Sequence, residues 1–211
     1  MFLFLKYTLI INKGGKQLLF FYFLTGYTAL YLVVWLHEVG HALLYTKYKC
    51  KKYPFQVHVP IYLFFSTPQP IDDEMVEKLT KRQFFNVGLA GIAMNLFVGL
   101  PISLVLYNLD SQPTLLLFFI YSFALFHLVE AMTYLTISTL FLSGDIVTVQ
   151  YYQPLLRIPL FLLGISLAIY IFFFILNSPS EWHLTYSLVI LLMMICMGFG
   201  RVLFTYKHKT I

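Results

Sequence analysis

The sequence predicts an all-α membrane protein of about five transmembrane helices, with a short membrane-associated strand or hairpin in the loop after the first. Three observations carry this reading. Of the 211 residues, 60% are hydrophobic and only 11% charged, whereas soluble domains carry about 25% charged residues. Five apolar stretches reach the roughly 20 residues that a helix needs to cross a bilayer core of about 30 Å. The lysines and arginines fall between those stretches, so the net charge of +5 does not mark a nucleic-acid partner. The partner it implies is the lipid bilayer.

The stretches lie at 17–45, 84–107, 114–136, 155–176 and 184–206. They are separated by breaker-rich segments at 108–113, 143–154 and 177–181. The whole of 1–211 reads as one domain, with a core at about 17–150 and additional helices at 155–206. Residues 1–11 are apolar but short, are interrupted by Lys6, and lack a small-residue cleavage site. They read as an interfacial or strand-like lead-in rather than a signal peptide. Cys50 and Cys196 lie in a basic loop and an apolar span, and predict no disulfide.

In the loop at 47–82, residues 55–66 partly alternate and are rich in Val, Ile, Tyr and Phe, which reads as a strand or hairpin arm. Residues 72–83 read as a capped amphipathic helix. This loop holds Lys47, Lys49, Lys51, Lys52, Lys78, Lys81 and Arg82. Arg157, Lys207 and Lys209 fall on the same side, and Arg201 leans towards it. The positive-inside rule therefore places the loop and the C-terminus in the cytoplasm and the N-terminus outside.

The first stretch contains His37-Glu38-Val39-Gly40-His41, an HExxH pattern. On a helix, residues four apart share a face, so both imidazoles can bind one zinc ion. Glu38, between them, is then free to move a proton between water and a leaving amine. With 6 His in the chain, a chance match has a probability of about 0.004. Three ionisable groups within five residues of a membrane span point to function rather than filler. At 1.5 Å per residue, His37 lies about 15 Å and His41 about 9 Å from the basic edge near Lys47. The site is thus expected within the bilayer, nearer the cytoplasmic face.

The segment 36–42 with the following 45–48 resembles the motif of site-2 proteases, which are intramembrane zinc metalloproteases. Residues 88–95, Gly-Leu-Ala-Gly-Ile-Ala-Met-Asn, are similar to that family's Ala-Gly-Pro-x-x-Asn stretch, with Ile92 in place of Pro. Ser143-Gly144-Asp145 resembles its Asp-Gly segment with the order reversed, and the family's Asn-x-x-Pro has no counterpart at 133–138. The resemblance implies a Zn2+ cofactor, a membrane-protein substrate cut in or next to a transmembrane segment, and Asp145 as third ligand.

Glu130 is the rival third ligand. It shares a helix face with His127, and the two also read as a hydrogen-bonded pair inside the bundle. His127 is a candidate donor to a tetrahedral oxyanion. Asn95 reads either as one interhelical hydrogen bond in a stripe of small residues or as a holder of substrate backbone. His58, His183 and His208 have no ligand spacing, and Pro101 reads as a tolerated kink. Three other classes remain open. One is a membrane zinc protease of the prenyl-protein-processing type, which would favour Glu130. Another is a non-proteolytic metal-binding relative. The last is a transporter using Glu38, His127 and Glu130.

Overall fold

The computed structural model describes residues 13–63, 66–109 and 112–209, and within these the side chains of 17–203, 205 and 206. The lead-in at 1–11 lies outside the described residues. Among the described residues, five helices are long and apolar enough to cross a membrane: Gln17–Lys47, Lys81–Tyr107, Leu115–Phe141, Pro154–Leu176 and Ser180–Leu203. This is the architecture of a multi-pass membrane protein. Outward-facing Leu19, Phe97, Leu155 and Leu203 are among the many large apolar side chains left exposed. Without lipid they would form an apolar surface far larger than soluble monomers carry.

Helix α1 (Lys13–Lys47) packs against α3 (Lys81–Tyr107) and α4 (Leu115–Thr133), and these two pack on each other. The span containing α4 is the central one. Its most apolar stretch is 67% buried, against 17–33% for the other four. The run from Ala124 to Thr133 is buried all round the helix, and Ala124, Leu125, Leu128, Val129 and Ala131 within it are small or aliphatic. Close approach of α1 and α3 depends on Gly40, where a Cβ would lie 2.7 Å from the Ala90 carbonyl oxygen.

The span α4 does not run straight into its loop. Tyr134–Ser138 form a π-helical turn before the helix resumes at Thr139–Phe141. Thr136 and Thr139 each donate their hydroxyl to a carbonyl of the preceding turn, which eases this widening. The chain then reverses sharply: Leu142 and Gly144 both adopt positive φ (53° and 59°). That reversal starts the short helix α5 (Ile146–Tyr152), which packs against α3. Helix α6 (Arg157–Leu176) and the last span follow. The last span comprises α7 (His183–Met193), a π-helical turn at Met194–Phe199, and α8 (Gly200–Lys209).

Two expectations about the loop after α1 need correction. No strand forms among the described residues of 55–66; there is one antiparallel bridge, between His58 and Thr67. Pro60 removes a backbone donor, and Leu63 at φ 64° donates back to the Pro60 carbonyl, folding a turn where the strand was expected. The segment at 72–83 is two helices, not one. Asp72 caps α2 (Asp73–Glu77), and a fresh capping box at Thr80 and Gln83 starts α3. The loop lies back along α1. Tyr27 and Tyr31 donate to the Ile61 and Val59 carbonyls, and Trp35 stacks on Phe55. Buried Lys51 fastens its base by donating to the Gln56 and Pro70 carbonyls.

Candidate metal centre

His37 and His41 lie one turn apart on the buried face of α1, at 2% and 5% exposure. Their Nε2 atoms are 3.2 Å apart. Asp145, at the start of α5, brings Oδ2 to 3.1 Å from each. These three residues form a group that can hold a metal ion. The turn at Leu142 to Gly144 is what delivers Asp145: it sends the chain back beside α1 and α3 instead of away from them.

Each ligand candidate is oriented from behind. The Nδ1–H of His41 donates to the Val87 carbonyl at 2.7 Å. A carbonyl only accepts, so Nε2 of His41 keeps its lone pair for a metal. Nδ1 of His37 faces the side-chain amide of Asn95 at 3.1 Å, and its ring stacks on Tyr134 (5.0 Å between centroids, 7° between planes). Burial disfavours the ionised Asp145 carboxyl, but the protonated forms of His41 and His37 outweigh that and hold it well below the usual carboxylate range, and a metal cation in their place would act in the same sense. Gly91 of α3 lies against the group. A Cβ there would sit 2.5 Å from Nε2 of both histidines. Room for an ion thus exists only because residue 91 has no side chain.

Glu38 points to the other side of the same turn and lines a cavity of about 570 Å³ together with His41 and Asp145. The Ser66 hydroxyl donates to its Oε1 at 2.8 Å, so the loop after α1 closes on this carboxylate. The rest of the lining mixes apolar side chains, including Val34, Leu63, Phe84 and Val87, with polar ones, among them Tyr45, Glu130 and Tyr134; the last span contributes Met197, Arg201 and Thr205.

The structure separates residues that the sequence suggested would act together. Glu130 is outside the ligand group and does not pair with His127. Its Oε1 accepts from Arg201 at 3.4 Å, and Arg201 also donates to Thr133 at 3.0 Å. His127 instead bonds to Asn95 through Nδ1 at 2.8 Å. Asn95 and His127 are wholly buried and do not line the cavity, so neither is placed to touch a substrate there. Arg201, expected from sequence to lean to the basic edge, turns inward. Its guanidinium lies 3.7 Å over the Tyr134 ring, on whose plane His37 stacks. The last span, additional to the core by sequence, thus reaches the metal centre through this pair. An arginine inside an apolar span was the available signal. Gly91 was visible only as one small residue among several. His183 bonds the Ser178 carbonyl at a turn, and Cys50 and Cys196 are unpaired.

Fold and site together define a multi-pass helical membrane protein with a buried His-His-Asp group suited to a metal ion. No protein-family model, curated protein or solved structure matches the chain.

Proposed function

We propose that this protein is an intramembrane zinc metalloprotease of the site-2 type, hydrolysing a peptide bond in or next to a transmembrane segment of a membrane-protein substrate. The observation that carries the proposal is the triangle of two imidazole nitrogens and one carboxylate oxygen, 3.1 to 3.2 Å on a side, beside a glutamate facing a cavity. Tetrahedral zinc with ligands at about 2.0 Å has ligand-to-ligand edges of about 3.3 Å, so three vertices fit and the cavity side remains for water and substrate. The donor set, two His and one Asp with an open position, suits catalytic rather than structural zinc.

Zinc in this site would polarise the scissile carbonyl and make a bound water acidic. The chain's own residues do the rest. Glu38 accepts the proton of the attacking water and hands it to the departing amine. Ser66 holds the Glu38 carboxylate in position until then. The apolar walls of the cavity accept an unwound, apolar length of chain. A substrate helix hides its amides, so it must open locally before attack. The basic loop after α1 sets the site nearer the cytoplasmic face.

The test is metal analysis coupled to cleavage of a model transmembrane substrate in detergent or liposomes. Wild type should hold about one zinc and cut. Chelation should stop cleavage and zinc should restore it. Glu38→Gln should retain zinc without cutting. Cleavage by Glu38→Gln at the wild-type rate would refute the assignment.

A further inference from the structure

Two side chains that the proposed chemistry leaves unused are the fully buried Asn95 and His127. We infer that they are positioning residues: a relay across three helices that fixes the tautomer of His37 and so makes it competent to bind metal. The inference rests on His37 being a metal ligand. The supporting observation is a continuous line of side chains. Nδ1 of His37 on α1 faces the Asn95 amide of α3 at 3.1 Å. The other amide atom of Asn95 faces Nδ1 of His127 on α4 at 2.8 Å. Asn95 and His127 are 0% exposed, so no solvent competes for these bonds.

The direction of each hydrogen bond decides the outcome. His41 is fixed by a backbone carbonyl, which has only one polarity. His37 is fixed by an amide, which has two, because a half-turn exchanges its oxygen and nitrogen in place. With the amide nitrogen towards His37, as the structure has it, Nδ1 of His37 accepts. Nε2 then carries the ring proton and cannot bind a metal. With the oxygen towards His37, Nδ1–H donates, and Nε2 offers its lone pair to the ion. The same half-turn points the amide nitrogen at His127. That ring must then accept at Nδ1 and carry its proton at Nε2. Nε2 of His127 is buried with no hydrogen-bond partner among the described residues, and the Phe123 ring stands nearly perpendicular to His127 at 4.6 Å. No polar neighbour among them therefore holds His127 in the opposite tautomer. His127 is thus free to offer Nδ1 as acceptor to the turned amide, which keeps the amide oxygen on His37 and leaves Nε2 of His37 open to a metal.

A double-mutant cycle on zinc affinity tests this, measured by chelator competition on the full chain in detergent, with circular dichroism to confirm folding. Asn95→Leu removes the acceptor for His37 and should weaken zinc binding by about 10- to 100-fold. Asn95→Asp should stay within about threefold of wild type, because a carboxylate accepts from Nδ1–H whichever way it turns. His127→Phe should cost several-fold in the wild-type background and nothing beyond about twofold in the Asn95→Asp background, where no orientation remains to be fixed. A merely structural role for His127 would cost the same in both backgrounds and would overturn the relay. Undiminished zinc binding by Asn95→Leu would also overturn it. If Asn95→Leu does not fold, the His127→Phe and Asn95→Asp pair still decides the matter. Zinc bound by wild type without cleavage would refute the protease assignment and leave the relay standing. Zinc that survives His37→Ala with wild-type affinity would overturn the relay at its premise.

Discussion

Replacing Gly91 by alanine is expected to destroy metal binding while leaving the helix bundle assembled. The added Cβ would lie 2.5 Å from Nε2 of His37 and 2.5 Å from Nε2 of His41, where ordinary contact begins at 3.4 Å. Relieving both contacts by moving the rings alone requires each to retreat by the difference, 3.4 − 2.5 = 0.9 Å. Metal–ligand distances tolerate only about 0.2 Å. A retreat several times larger takes at least one imidazole out of reach. Binding should fall by at least about 100-fold, or roughly 2.8 kcal/mol at 1.4 kcal/mol per decade. The cost to folding is smaller. Overpacking of this kind costs about 1–3 kcal/mol, and alanine regains up to about 1 kcal/mol of helix propensity over glycine. The assay is zinc stoichiometry and affinity by chelator competition, with thermal unfolding measured on the same samples. Gly26→Ala is the control: its Cβ would meet only Phe118, at 3.8 Å, and it should bind zinc as wild type does. Wild-type zinc affinity in Gly91→Ala would refute the placement of the ion between these two nitrogens.

Further substitutions separate the other roles. Asp145→Ala should lose zinc, whereas Glu130→Ala should keep it and lose about 3 kcal/mol of stability, because the largely buried Arg201 is left without its carboxylate. Metal analysis and chemical denaturation distinguish the two, and zinc loss in Glu130→Ala alone would transfer the ligand role to Glu130. Ser66→Ala removes a hydrogen bond to a buried carboxylate, worth about 1.5 kcal/mol. Its cleavage rate should fall by roughly tenfold at unchanged zinc content. An unaltered rate would show that the loop does not hold Glu38 during the reaction.

Much of this protein was legible from one-dimensional pattern. The five apolar stretches, their breakers and the HExxH helix depend on local composition and on the period of the α-helix. Both are properties of adjacent residues, and the spans emerged within a few residues of their expected ends. Asp145 stood out through a resemblance to a known motif and because the third span ends on the side of the HExxH motif; neither spacing nor periodicity singles it out. Its arrival at the histidines depends on the reversal at Leu142 to Gly144 and on the π-helical turn before it, and neither follows from propensity. The strand expected at 55–66 failed because Pro60 and a left-handed Leu63 fold a turn there, and alternation alone does not register this.

What the sequence determined by itself was the solvent of each segment and the one helical turn that presents two imidazoles together. Burial in lipid and i, i+4 spacing are enforced within a single element, so they can be read from that element. Partners across helices were decided only by the tertiary structure. Arg201 lies 71 residues from Glu130, and Asn95 lies 58 from His37 and 32 from His127. The physical reason is that a buried polar group must find a partner, but any of several helices can supply it. Packing chose among them through the small surfaces at Gly40, Gly91 and Gly99, which set how closely the helices approach.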